Sequence, residues 1–275
     1  MLGWILFAAG CSGPSPETRI EELRVVAMVA DPPEIGPLDE TRVDVYVADP
    51  EEEGVEVLVW ACTNLGEGCL EEQGGAIGIA TGTPQDGLLT VDLSPSPILD
   101  GLTTGGLSLE ATALWALACR PGQCPLIEEA SGAEDYHPWS NRLGADLSDP
   151  LGWMADLPRK GVSLAFRLLT VSDLPEDERH DNPTIVALFE ELPTLRRGKK
   201  FNLDFRLDGV LGEEARVFNY ITGGGFKMTE TYVGGTGDVR LEGFAPKKAG
   251  PVDMWVVFND GLGGVAVWTA STTVQ

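Results

Sequence analysis

Apolar and polar residues alternate at period two along most of the chain, the spacing of half-buried β-strands. Leu23, Val25, Ala27 and Val29 share one predicted face, and Asp31-Pro32-Pro33 ends that strand. Val43, Val45 and Val47 then point one way while Arg42, Asp44 and Tyr46 point the other. A turn rich in Glu from Asp49 to Gly54 leads to Val55, Val57 and Val59, which alternate with Glu56, Leu58 and Trp60. Leu88 to Leu93 is a short strand candidate. Leu107, Leu109, Ala111, Ala113, Trp115, Leu117 and Cys119 are expected to line one face of a longer strand, and Val162, Leu164, Phe166 and Leu168 one face of the last. Pro150 to Leu157 has the length of one or two helical turns. This strand count predicts an immunoglobulin-like sandwich over residues 20–172, enlarged by an insertion at residues 125–158, with Trp60 where such folds often bury a tryptophan.

The stretch from Val171 to Pro183 is polar, charged and bounded by proline, which marks residues 173–183 as a linker. A second alternating series follows over residues 184–275. It runs through Ile185 to Phe189, then Phe201, Leu203, Phe205 and Leu207 against Asn202, Asp204, Arg206 and Asp208. Arg216 to Ile221, Phe226 to Val233 and Val239 to Phe244 continue it. Val252, Met254, Val256 and Phe258 lead into Asn259-Asp260-Gly261 and then Val265 and Val267, the pattern of a hairpin. The fold class is therefore all-β, with two Ig-like antiparallel sandwiches in tandem.

Composition agrees, with 34 Gly and 19 Pro in 275 residues. The formal net charge of −24 argues against nucleic acid as a partner, which would need basic patches. The charge is uneven: residues 1–181 hold 32 acidic and 9 basic side chains, residues 182–275 hold 11 and 10. If the chain is anchored at its N-terminus, the first sandwich is expected to lie nearer the membrane and the near-neutral second to face outward.

Residues 1–19 read as the remnant of a signal peptide followed by a tether. The apolar stretch Leu2 to Ala9 is far shorter than the ~20 residues of a spanning helix. Ala8-Ala9-Gly10-Cys11 resembles the lipobox of bacterial lipoproteins, which implies lipid attachment at Cys11; Ser12 after it implies outer-membrane sorting in the cell envelope. The other reading is an ordinary N-terminus with a buried Cys11. The remaining Cys62, Cys69, Cys119 and Cys124 are an even set, expected to form disulfides in an oxidising compartment. Strands ending at Cys62 and Cys119 would be antiparallel neighbours, so these two thiols should lie at opposite ends. The pairs Cys62–Cys69 and Cys119–Cys124 are favoured on that ground. The stretches Leu23-Arg-Val-Val-Ala-Met-Val-Ala-Asp-Pro-Pro-Glu34 and Val252-Asp-Met-Trp-Val-Val-Phe-Asn-Asp-Gly-Leu-Gly-Gly-Val265 resemble poorly characterised lipoproteins of myxobacteria and their relatives. The resemblance implies a lipobox followed by one or two Ig-like sandwiches, and no defined activity.

Enzymatic motifs are missing: the chain has no G-x-S-x-G, H-E-x-x-H, G-x-x-x-x-G-K or G-x-G-x-x-G, so it is expected not to be an enzyme. Glu128-Glu129 and Glu134-Asp135 read as adjacent surface acids. In the linker, Asp173, Glu176, Asp177, Glu178, Asp181 and Asn182 offer hard oxygen ligands, so calcium is a possible cofactor there; a solvated acidic linker is the other reading. The insertion carries Tyr136, His137, Trp139 and Trp153, either a binding loop for an envelope protein or glycan, or lids folded back on the sandwich edge. Arg196-Arg197-Gly198-Lys199-Lys200 reads as a solvated basic turn. The expected function is that of a lipid-anchored envelope protein acting as a binding or structural module. A calcium-stiffened, adhesin-like surface rod is the alternative, with an envelope hydrolase behind both.

Overall fold

The computed structural model describes residues 16–36, 39–62, 76–93, 111–121, 161–234 and 236–275. Among them it is all-β, apart from single 3-10 turns at Pro16–Thr18 and Glu176–Glu178. The first sandwich contains β1 (Arg24–Asp31), β2 (Glu34–Ile35), β3 (Thr41–Ala48), β4 (Glu56–Cys62), β5 (Ala76–Gly82), β6 (Leu88–Leu93), β7 (Ala111–Cys119) and β8 (Val162–Val171). One sheet has the order β1-β3-β6 and the other β2-β8-β7-β4-β5. All their pairings are antiparallel except that of the short β2, which runs parallel to β8 after the chain crosses over from β1. The second sandwich contains β9 (Thr184–Ala187), β10 (Lys200–Asp208), β11 (Arg216–Ile221), β12 (Gly225–Phe226), β13 (Glu230–Tyr232), β14 (Asp238–Phe244), β15 (Gly250–Asn259) and β16 (Val265–Val274). Its sheets are β12-β14-β10-β9 and β13-β11-β15-β16. Two antiparallel sheets packed over a shared apolar core make each unit an Ig-like β-sandwich.

The second sandwich follows the alternation closely. Phe201, Leu203, Phe205 and Leu207 enter its core with Val239, Leu241, Val252, Met254, Val256 and Phe258. The residues from Phe226 to Val233, expected to make one strand, instead divide into β12 and β13, which belong to different sheets. The chain changes sheet at Lys227 to Thr229 and leaves that edge of the sandwich thinly covered.

The first sandwich departs from the simple pattern in three places. A bulge between Val25 and Ala27 reverses the faces of β1. Leu23, Val25, Met28 and Ala30 consequently enter the core, whereas Val26, Ala27 and Val29 face the other way. On β7 the core takes Leu114, Ala116 and Ala118, so Trp115 and Leu117 lie on the outer face. On β8, Ala165, Leu169 and Val171 reach the core; Phe166 and Leu168 point outward and are half exposed. Trp60 is buried, but not where expected. Its neighbours Val57, Val59 and Ala61 face the other sheet, while Trp60 stacks on Trp115 at 6.0 Å between ring centres, and Trp115 meets Phe166 at 5.2 Å. These three rings form a stripe across the outer side of β4, β7 and β8.

The two sandwiches are stacked face to face. Phe218, Tyr220, Trp255, Val257, Val265 and Val267, from the outer face of β11, β15 and β16, pack on Val26, Ala27, Val29, Tyr46 and Ala48 of β1 and β3. Four sheets therefore lie in succession. The middle interface buries a third apolar cluster, built from the face that a solvated sandwich would leave polar.

Candidate functional site: the junction between the sandwiches

Polar side chains at one end of the interface bind the two units together. The anchor is Asp260, in the loop between β15 and β16. Its carboxylate is fully buried, and Oδ1 accepts the amide N–H groups of Leu262 at 2.7 Å and Gly264 at 2.9 Å. Oδ2 lies 2.5 Å from Nε2 of His180, which comes from the connection between the sandwiches. Position 264 must be glycine, because a Cβ there would collide with the Asp260 carboxylate and with Pro183.

Asn182 joins three segments. Its Nδ2 donates to the Ala30 carbonyl at 2.7 Å, and its Oδ1 accepts the Val265 N–H at 2.9 Å. Arg167 of β8 donates to the carbonyls of Met28, at 2.9 Å, and Gly263. Burial pulls its pKa down to about 10, against the opposing pull of Asp260, so it remains a cation at neutral pH. Glu34 on β2 accepts the His180 N–H at 2.9 Å. Burial would raise the Glu34 pKa, but Ser172, His180 and Arg179 outweigh it and hold the carboxyl below its ordinary value. Arg179 also pairs with Asp39, lowering that carboxyl in turn. Buried charge is tolerated when it is paired and hydrogen-bonded, and here the His180–Asp260, Asn182–Val265 and Arg167–Gly263 contacts tie the first sandwich and the connection to the second.

The chemistry of this cluster is positional. It fixes the angle between two sandwiches, and its polar groups are directed at one another or at backbone. Of the linker residues considered for calcium, Asp173, Glu176, Asp177, Glu178 and Asp181 are exposed on and beside the 3-10 turn, and the Asn182 amide is engaged on both sides. Among the described residues, no group of three or more His, Cys, Asp or Glu is placed to hold a metal ion. Of this cluster only Asn182 stood out in the sequence as a candidate ligand; Glu34, Asp39, Arg167, Arg179 and His180 did not, and Asp260 stood out only as a turn residue.

A second end of the structure also engages acid. Arg120, almost fully buried next to Cys119, reaches Asp49 at 2.6 Å, Glu51 at 3.0 Å and Glu53 at 3.6 Å, and donates to the Gly54 carbonyl. Burial opposes its charge, but Asp49 and Glu51 raise its pKa above the ordinary value. The Glu-rich turn is thus gathered around one cation.

Cys119 is buried and disulfide-bonded. Cys62 pairs in register with Ala113 and Cys119 with Glu56, six residues apart along neighbouring strands, about 20 Å. Those two thiols are therefore not partners. Cys11, Cys69, Cys124, Tyr136, His137, Trp139 and Trp153 lie outside the described residues, as does the side chain of Cys62. The Arg196 to Lys200 turn is exposed and leads into β10.

No family model matches this sequence, and no curated protein matches it. Among solved structures, elastase-activated alpha-2-macroglobulin of Escherichia coli is 9% identical with a TM-score of 0.29, over 95% of this chain. This chain spans only 22% of that protein's length. The D0-D1 domain of intimin is 9% identical with a TM-score of 0.25, over 90% of this chain and 97% of its own. A chimeric titin Z1Z2 tandem is 12% identical with a TM-score of 0.27, over 93% and 97%. At these values the likenesses carry no conclusion about this chain.

Proposed function

We propose that this is a lipid-anchored protein of the bacterial cell envelope, acting as a non-enzymatic binding or structural module whose two sandwiches work as one rigid body. The observation that carries the reading is the junction. A buried Asp260, a doubly bonded Asn182 and a buried apolar face give the pair a fixed geometry, which a scaffold needs and a flexible tandem lacks.

The first residues described alter the expected orientation. Thr18 accepts the Phe226 N–H at 2.9 Å, and the Ile20 N–H donates to the Ile221 carbonyl. Glu17 accepts from the Thr229 hydroxyl at 3.1 Å. The segment that leads back to Cys11 is therefore fastened to the second sandwich, not the first. Four residues lie between Cys11 and Pro16, so the five Cα steps reach at most about 18 Å. A lipid on Cys11 would bring the near-neutral second sandwich to the bilayer and leave the acidic first one farther from it, which reverses the arrangement expected from the order of the domains.

The anchoring is tested by phase partitioning with detergent. The protein is expected in the detergent phase and Cys11→Ser in the aqueous phase, with mass spectrometry finding a modified Cys11 at the mature N-terminus. A mature chain that retains residues before an unmodified Cys11 overturns it. The module reading is tested by cross-linking in intact cells: a reproducible envelope partner is expected, and turnover of an envelope substrate by the purified protein would refute it.

A further inference from the structure

The thinly covered edge of the second sandwich has a form of its own. In the β10–β14 ladder, Ala245 N–H donates to Lys199 and Leu207 N–H to Gly237. In an antiparallel pair the bonded positions alternate, so the odd residues of β14 face β10 and the even ones face the opposite edge. The Glu242 carbonyl on that edge accepts the Lys227 N–H at 2.9 Å. β12 pairs only with Phe244 and Gly243, so Arg240 presents its N–H and C=O outward beyond the end of β12. Across from it, β13 is just three residues long and shows a second edge.

Between these edges lies a cavity of about 270 Å³ lined by residues that include Asn219, Phe226, Met228, Thr231 and Leu241. Asn219 sits on the core side of β11 between Val217 and Ile221 and is only 1% exposed. Its Nδ2 donates to the Met228 carbonyl at 2.6 Å, which fixes the orientation of the amide. Its Oδ1 is buried and has no hydrogen-bond partner. An unmet buried acceptor carries a penalty of about 1–3 kcal/mol, so a donor that reaches it is rewarded. The charges around the mouth are already matched: Arg240 is bidentate to Asp204, and Glu242 takes Lys200 and Lys227. The site therefore favours a neutral guest.

We propose that this edge binds an extended polypeptide segment, which adds a strand along β14 at Arg240 and sends a neutral, hydrogen-bond-donating side chain, such as the amide of Gln or Asn, to Oδ1 of Asn219. Main-chain pairing supplies the affinity and the cavity supplies the selectivity. Met228, unbranched and 58% exposed, is the part that moves to admit it. The proposal rests on the binding-module reading and names its ligand class. It is independent of the lipid anchor.

The test uses the full chain labelled with nitrogen-15 and three eight-residue probe peptides of alternating Thr and Val, with Gln, Leu or Glu at the centre. The Gln peptide is expected to shift the resonances of residues 219, 226–231 and 238–242, to slow exchange of the Arg240 amide, and to bind at least about tenfold more tightly than the Leu peptide. Asn219→Leu should abolish that preference. Arg240→Pro, which removes an edge donor without taking a ladder bond, should weaken all three peptides. Equal binding of Gln and Leu peptides, shifts confined to another surface, or no binding at millimolar peptide overturns the proposal. Failure of all three peptides leaves the anchoring and the rigid junction standing, since neither depends on this edge.

Discussion

The two sandwiches share a fold and differ in how their outer faces are used. In the second, β10 and β14 have one apolar face in the core and one ionic face in solvent, where Arg206 pairs with Asp238 and Arg240 with Asp204. In the first, β4 and β7 are apolar on both sides, and Trp60, Trp115 and Leu117 are buried away from the inter-sheet core. The second sandwich has its own two-sided region, but only on β11, β15 and β16, where it meets the first. Alternation orients a strand when one of its faces meets water. Where both faces are covered it marks a strand and leaves the inward direction open.

The greatest loss is expected at Asp260, where the two units meet. Asp260→Ala leaves the amides of Leu262 and Gly264 and the His180 ring without their acceptor, and is expected to lower stability by about 3–5 kcal/mol in denaturant titration. A change below about 1 kcal/mol would mean that the junction does not couple the units. Arg120→Met comes next, at about 2 kcal/mol, because it strands three acids that are only partly buried and lie in the first sandwich alone. Local hydrogen exchange should rise around Asp49 to Gly54 and stay unchanged in β9 to β16; uniform loosening would contradict the assignment. Val256→Ala and Val257→Ala form a matched pair, one residue facing the second core and the other the interface. Both should cost about 1–2 kcal/mol by lost burial. A solvent-facing Val257 would cost nothing, and that result would dissolve the stacked arrangement.

The smallest effect is that of acid. Glu34 and Asp39 are held below their ordinary carboxyl values in the fold, so their ionisation contributes fully above those ordinary values and is lost as pH falls through the lowered ones. Thermal stability should therefore be flat above about pH 5 and decline below it. Glu34→Gln should flatten part of that decline, and an unchanged acid profile in this variant would remove Glu34 from the account.

Much of the fold was legible in particular residues. Val43, Val45 and Val47, and Phe201 to Leu207, oriented their strands correctly because Arg42, Asp44, Asn202 and Asp204 stood between them. The faces of β1 were not legible, since a bulge adds one residue and every later side chain exchanges sides. Trp60 and Trp115 were visible as buried aromatics, but their direction depended on what covers the outer sheet. The junction left little local signal. His180 and Asn182 resembled their acidic surroundings, and Asp260 looked like a turn residue, because their partners lie 80, 152 and 83 positions away.

Strands such as β3 and β10, the hairpin at Asp260-Gly261, the all-β class and the uneven charge are written locally in the sequence, whereas β2, β5 and the division of Phe226 to Val233 are not. Long-range packing sets the sandwiches face to face, fastens residues 16–20 to the second of them, and leaves one edge with a buried acceptor that has no donor. These depend on which surfaces meet, and an apolar face seeks cover without specifying its partner; the partner is set by long-range pairs such as His180 with Asp260 and Thr18 with Phe226.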